Sequence, residues 1–522
     1  MTIATPRQLR AVEPLLHQVD LLRSEACNRV DPSRRSELGQ FLTPPSVARF
    51  MASLFSTLRE DVRVLDAGAG VGTLFSALVI EAAGRNDPPK DFQVVAYEID
   101  PIMAGYLEKT IDACRVKATT HGIRFHGSVI RKDFIGQAVE ELDDGLFNRS
   151  KGQRFTHAIL NPPYKKLGAD SSARLSLRRV GIETSNLYAA FLALAVRLLD
   201  DGGELVAITP RSFCNGPYFR PFRKAFLGAM NLRRIHVFES RTAAFSADDV
   251  LQENVIIHAV KGRQSQDVVV SSSAGPDDDI AFRTVPFESI VRAGDPEQFI
   301  HVVPDEIGQQ AAELFARFNC SLDDLDLGVS TGRVVDFRVK SFLRRDPDVT
   351  TGPLIYPTHL QDGAVAWPKV GKKPNALVDC AETANLWLPS GTYVLVKRFS
   401  SKEEKRRVVA AVFEPAIIPA KKVGFENHLN VFHAKGAGLP PNLARGLSAF
   451  LNSTLFDTCF RQFSGHTQVN ATDLRNMKYP SAIVLHDLGR RLRHEPASQE
   501  RIDHLVAELV TMATAPSGVR HA

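Results

Sequence analysis

Residues 62–75 read VRVLDAGAGVGTLF. An apolar run, Val62 to Leu65, meets Asp66, then Gly68, Gly70 and Gly72, and a helical pattern follows. Glycines at such a turn let the chain bend sharply and bring backbone close to a ligand. The helix behind adds a partly positive N-terminus. A plain strand-to-helix turn has the same composition, so the turn alone does not name a ligand. Thr73 stands where a dinucleotide fingerprint places its third glycine, which departs from the nicotinamide-dinucleotide pattern.

The next strand ends carry the argument further. Residues 94–97 run into Glu98-Ile99-Asp100, and residues 129–130 into Arg131-Lys132-Asp133-Phe134. An acid after the second strand suits the vicinal hydroxyls of a ribose. Asp133 can accept an adenine amino hydrogen, and the Phe134 ring can cover the base. Ligands of open α/β sheets bind at these carboxyl ends, so three suitable ends in succession outweigh any one.

A fourth strand ends in HAILNPPYKKL, residues 157–167. Prolines cannot continue a central strand, because neither donates to the ladder. On one reading the strand ends, the prolines turn it, and Tyr164 joins the core. On the other, Pro162 and Pro163 fix the Asn161 amide and the Tyr164 face in a pocket.

Working outward, candidate strands fall at 62–65, 94–97, 129–130, 158–160, 204–208, 235–238 and 255–260, alternating with helical patterns. That rhythm predicts a mainly parallel sheet covered on both faces. Residues 186–199 form the clearest helix, stopped by Asp200-Asp201-Gly202-Gly203. Residues 1–60 read as an N-terminal helical extension, 61–262 as the α/β catalytic domain and 263–280 as a polar linker. Residues 281–522 lose the rhythm and read as a second, α/β domain.

The chain has 522 residues, 44% of them apolar and 24% charged, as in ordinary soluble proteins. No apolar stretch approaches the roughly 20 residues a membrane span needs. The N-terminus lacks a secretory pattern, so a cytoplasmic protein is expected. The six cysteines are scattered, which argues against structural zinc and a disulfide framework, and no metal is expected. A net charge of +5 leans mildly toward polyanionic partners.

DAGAGVG, YEID, KDF and NPPY, in this order, resemble the S-adenosylmethionine-dependent methyltransferases, and NPPY resembles those that act on amino groups of DNA. GQFLTPP (39–45) upstream, Asn186-Leu187-Tyr188, Gly202-Gly203 and a large following domain resemble the gamma class of N6-adenine DNA methyltransferases, the TaqI-like enzymes. This resemblance covers roughly residues 36–262. STGRVVDFR (330–338), YVLVKRFSSKEEKRR (393–407) and GHTQVNATDLRNMKYP (465–480) resemble target-recognition segments of type II modification methylases of the PstI/BsuBI group.

The resemblance implies a Rossmann-like methyltransferase sheet with N-terminal helices and a C-terminal α/β DNA-recognition domain. It implies S-adenosylmethionine held by Thr43, Asp66, Gly68, Gly70, Glu98, Asp133, Phe134 and Asn161. Thr43 is also a plain helix N-cap before Pro44. The catalytic set is Asn161, Pro162, Pro163 and Tyr164, with Phe245 as a second ring; a core ring is the other reading of Phe245. Adenine N6 is a poor nucleophile, its lone pair being delocalised. Two fixed acceptors, Asn161 Oδ1 and the Pro162 carbonyl, can take its hydrogens by preorganisation rather than general-base chemistry. The target atom lies inside a duplex, so the base must be extruded, and the Tyr164 face can stack on it.

For DNA contacts the expectation is a basic loop with Lys165, Lys166, Arg174, Arg178 and Arg179, then Lys397, Arg398, His466, Gln468 and Asn470 in the second domain. Charge runs are also ordinary solvated faces. The partners implied are double-stranded DNA and a separate restriction endonuclease, with the chain itself a monomer. Rival readings are a methyltransferase for protein glutamine or RNA, and a non-catalytic DNA-recognition protein on the same fold.

Overall fold

A computed structural model describes residues 13–31, 39, 41–58, 60–147, 154–238, 253–262, 267–303, 306–400, 406–463, 468–492 and 498–512. The chain divides into two compact units, Met1–Pro304 and Asp305–Ala522.

The first unit begins with α1 (Pro14–Arg29) and α2 (Pro45–Ser53). Then β1 (Asp61–Ala67), α3 (Thr73–Ala83), β2 (Asp91–Tyr97), α4 (Pro101–Thr120), β3 (Arg124–Ile130), α5 (Phe134–Phe147) and β4 (Phe155–Leu160) alternate. After them come α6 (Ser172–Arg179), α7 (Leu187–Leu198), β5 (Leu199–Pro210), α8 (Arg220–Ala229), β6 (Met230–Phe238), β7 (Asn254–Lys261), β8 (Asp267–Ser273) and β9 (Ala281–Pro286). All seven expected strands are present. The sheet has nine strands in the order β3-β2-β1-β4-β5-β7-β6-β8-β9. β1 to β5 pair in parallel, while β7 is antiparallel to both β5 and β6. The strand order turns between β1 and β4, and a crevice opens at such a switch point.

Register places the site. Ala67 pairs with Tyr97 and Tyr97 with Ile130, so β1, β2 and β3 end level along one rim. The residues that follow those ends are therefore neighbours. β4 is buried along its whole length, as a central strand of a parallel sheet should be.

Two boundaries differ from the sequence expectation. Residues 267–273 lie within the expected linker but form β8, parallel to β6, with Val268 and Val270 fully buried. The polar neighbours of this three-valine run hide a strand. The units divide after Pro304 instead. The N-terminal helices are not a separate extension either: Leu15, Val19, Val47 and Met51 share one core with Val64, Phe75 and Val94.

Glu204 of β5 locks this arrangement. Its buried carboxylate accepts from Ser56 N and Oγ, Thr57 N and Oγ1, and His258 Nε2, at 2.8 to 3.0 Å. Burial alone would raise its pKa, but His258 and the Ser56 and Thr57 amides outweigh that and bring it down to about 2.

The second unit carries two small sheets and flanking helices. One sheet runs Gly328–Thr331, Leu429–His433, Tyr393–Lys397, Ala410–Phe413, Ala364–Val365, Leu360–Gln361. The other runs Leu343–Arg344, Ala376–Val378, Thr351–Ile355, Lys422–Phe425, Trp387–Pro389. Among the described residues no helix is long and apolar enough to cross a membrane.

Candidate active site

The glycine turn after β1 is pinned from both sides. Gly68 N and Ala69 N donate to the Tyr97 carbonyl at 3.0 and 2.9 Å. Gly70 N donates to Glu98 Oε2 at 2.9 Å, and Glu98 Oε1 accepts from Asp100 N at 2.7 Å. Gly70 has φ +58°, and a Cβ there would lie 2.7 Å from Leu42 Cδ2. Only glycine suits that conformation and that approach.

Asp66 sits beneath the turn and is wholly buried, and neither carboxylate oxygen makes a hydrogen bond of ordinary geometry. Burial pushes its pKa up to about 8; the Phe75 amide works against the rise and the Glu98 charge adds to it. A buried carboxyl group without a partner costs stability, so it points to a ligand that supplies one.

At the end of β4, Asn161 Nδ2 donates to the Phe41 carbonyl at 2.7 Å and to Thr43 Oγ1 at 3.0 Å. A carbonyl can only accept, so the amide's orientation is fixed and Oδ1 is its other face. Oδ1 is buried and has no partner. Among the described residues the Pro162 carbonyl accepts no backbone hydrogen bond either. The strand end thus presents two adjacent acceptors on a rigid dipeptide. Gly39 reinforces it: its carbonyl accepts Tyr164 N at 2.9 Å, and at φ +67° a Cβ would come within 3.1 Å of the Tyr164 backbone. The Tyr164 ring packs 5.4 Å from Phe41 and 6.2 Å from Tyr188. Burial holds its hydroxyl well above the usual phenol range.

A cleft of about 750 Å³, open mouth included, joins these parts. Gly68, Gly70, Glu98, Asp133, Phe134, Asn161 and Pro163, all named from the sequence, line it. Asp133 Oδ2 also accepts Gly136 N at 2.7 Å, which caps α5. Thr43 does not line the cleft; its hydroxyl holds Asn161. Sequence reasoning missed Phe41, Ile99, Leu187 and Phe191 as walls of the cleft. Ile99 had a signal, an apolar residue between two acids at a strand end, and it is half exposed. Phe245 and His466 lie outside the described residues.

The basic segment after Tyr164 is partly helical rather than a loop. Arg174 and Arg178 of α6 pair with Glu183, and Arg179 pairs with Asp143. Lys165 and Lys166 are exposed. In the second unit Arg398 Nη1 donates to the Asn427 carbonyl at 2.8 Å and Nη2 to Gln468 Oε1 at 3.3 Å, so its guanidinium is engaged within the protein. Asn470 caps the helix Ala471–Asn476 and bonds Asp473. Lys397 ends its strand half buried.

A glycine turn over a buried acid, acids at the next two strand ends and a half-satisfied asparagine at the fourth define a methyltransferase on a Rossmann-like sheet. The family described as Eco57I restriction-modification methylase matches residues 107–245. The chain is 45% identical over 491 residues to the type II methyltransferase M.PstI of Providencia stuartii, covering 94% of this chain and 96% of that one. It is 47% identical over 487 residues to the type II methyltransferase M.BsuBI of Bacillus subtilis, covering 91% and 94%. The chain belongs to this family of type II methyltransferases of restriction-modification systems. Its cofactor is S-adenosylmethionine. The type IIL restriction-modification enzyme MmeI, solved in complex with DNA, shares the fold at TM-score 0.55 and 10% identity, over 96% of this chain and 74% of that one.

Proposed function

We propose that the chain methylates N6 of an adenine extruded from a short, specific sequence in double-stranded DNA, and so protects that DNA from a separate restriction endonuclease. The observation that carries the reading is the divided Asn161 amide. Its nitrogen is spent on Phe41 and Thr43, and its oxygen is buried and unpartnered beside the Pro162 carbonyl.

The cleft fits the cofactor by its own chemistry. Among its lining residues the Glu98 carboxylate suits a diol, Ile99 and Phe134 offer apolar faces to a base and Asp133 an acceptor, while the orphaned Asp66 carboxyl group, two residues before Gly68, does not itself line the cleft. When bound, S-adenosylmethionine supplies an electrophilic methyl group. The chain's own residues do the rest. Asn161 Oδ1 and the Pro162 carbonyl accept the two amino hydrogens and favour a lone pair on nitrogen. The two prolines keep the acceptors from relaxing away, so little reorganisation is needed at the moment of transfer. Tyr164 offers a face to the extruded base, which restores about 1–3 kcal/mol of lost stacking. Its phenol is neutral at physiological pH, which suits stacking rather than proton transfer.

The test is to express the protein in a host without DNA methylation and map modified bases at single-base resolution. N6-methyladenine confined to one short motif is the expected result. N4-methylcytosine in the motif would overturn the adenine assignment, and unmodified DNA from active protein would overturn the substrate.

A further inference from the structure

Three segments of the second unit that are distant in sequence, 332–338, 398–399 and 468–470, meet at a turn that belongs to none of them. The turn is Glu426-Asn427-His428. Its backbone is held from every side. Glu426 is fully buried and accepts His428 N at 2.9 Å and His428 Nδ1 at 2.5 Å. Asn427 N donates to the Val334 carbonyl at 2.8 Å, and Arg398 N to the His428 carbonyl at 2.9 Å. The Asn427 carbonyl takes Arg398 Nη1 at 2.8 Å, and the same guanidinium reaches Gln468 Oε1 at 3.3 Å. Asn430 Nδ2 ties down the Val469 carbonyl at 2.8 Å.

Other polar atoms of the same side chains are left over. The Asn427 amide, His428 Nε2 and Gln468 Nε2 have no partner among the described residues, and none of them is buried. Beside them the Phe399 ring is 46% exposed and lies 5.2 Å from His428. A buried carboxylate and a guanidinium are thus spent on fixing a turn whose outward groups are unsatisfied. Rigid support beneath free polar groups is what a recognition surface requires.

The chemistry of those groups selects the ligand. The Asn427 amide offers a donor and an acceptor side by side, which matches the N6 and N7 edge of adenine. His428, with Nδ1–H on Glu426, presents an acceptor at Nε2 when neutral. An exposed ring suits the methyl group of thymine. The Arg398 guanidinium and the Glu426 carboxylate are already hydrogen-bonded within the protein, so the surface is suited to base edges rather than to phosphates.

We propose that Asn427, His428 and Gln468 read base edges in the DNA, with Phe399 packed beside them, and that Arg398 and Glu426 are positioning residues. This rests on DNA being the substrate, as argued above. The test compares wild type with Asn427→Ala and His428→Ala, by motif mapping in cells and by kcat/KM on duplexes carrying each single base-pair change. The expected result is discrimination at one motif position lowered by about tenfold to a hundredfold, with cofactor affinity unchanged; the melting temperature holds in Asn427→Ala and falls in His428→Ala, which takes a donor from buried Glu426. A kept motif, whether at full rate or with all sequences slowed alike, would overturn the assignment. Wild-type protein that leaves DNA unmodified would overturn the substrate reading, and this one with it.

Discussion

Two carboxylates are buried in the same sheet and treated in opposite ways. Glu204, within β5, accepts from five donors and has its pKa brought down to about 2. Asp66, at the end of β1, has no hydrogen-bond partner of ordinary geometry and a pKa pushed up to about 8. Both environments remove water, so desolvation does not separate them. What separates them is whether the fold supplies the donors. Where a carboxylate holds the protein together, the protein satisfies it. Where the fold supplies no donors, the protein bears the cost of leaving it unsatisfied. The same division runs through one side chain in Asn161, whose Nδ2 is bonded within the scaffold and whose Oδ1 is left without a partner.

The contrast makes predictions of different kinds for the two sides. The largest effect falls on the unsatisfied side. Asn161→Ala should slow methyl transfer on the order of a thousandfold in single-turnover assays. Calorimetric titration should show cofactor affinity nearly intact, and stability should fall by only about 1 kcal/mol. Retained transfer would break the assignment of Oδ1 as a catalytic acceptor. On the satisfied side the cost is folding. Glu204→Ala strands His258 and four further donors and should lose about 3 kcal/mol in denaturant unfolding. The sign with pH follows from the lowered pKa. The stabilisation from Glu204 is complete above about 4.5, its ordinary value, and is lost as pH falls toward about 2. An acid-unfolding profile unchanged by Glu204→Gln would show that this carboxylate is not what fixes the 56–57 turn.

The functional side was the more legible of the two in sequence. Asp66, Glu98, Asp133 and Asn161 each follow a strand whose apolar run can be recognised, and parallel register brings consecutive ends to one rim. Local pattern and topology therefore agree. The Glu204 cluster joins residues 56–57, 204 and 258, and no local rule connects them. For the same reason the Glu426-Asn427-His428 turn was invisible, being assembled from loops whose lengths carry no period. Residues 267–273 show a third kind of failure. A strand of three valines between polar runs reads as linker until its neighbour β6 is known. Arg398 shows a fourth, because a basic residue in a basic run looks like a phosphate contact, yet its guanidinium is engaged within the protein.

Thr43 tests how far the scaffold side reaches into catalysis. Its hydroxyl accepts Asn161 Nδ2 at 3.0 Å, while the residue itself does not line the cleft. Thr43→Val keeps the shape and removes the acceptor. It should lower kcat about tenfold, the weight of one hydrogen bond, with little change in KM for the cofactor, and Thr43→Ser should restore the rate. A change in cofactor KM without one in kcat would place Thr43 against the cofactor instead.

The smallest effect is a single proton, and it reports on Asp66 directly. With a folded pKa near 8, the ligand-free protein carries Asp66 largely protonated at pH 7. Because the folded state holds this proton more tightly than the unfolded chain, stability declines as pH rises from about 4 to about 8. A ligand that donates to the carboxylate favours its ionised form, so binding at pH 7 must expel up to one proton. Isothermal titration of S-adenosylmethionine in buffers of different ionisation enthalpy measures that release. It should vanish in Asp66→Asn and diminish above pH 8. Binding without proton release in the wild type would mean that Asp66 stays neutral beneath the bound cofactor. Its unsatisfied oxygens would then be a cost borne by the glycine turn rather than a site kept open for the ligand.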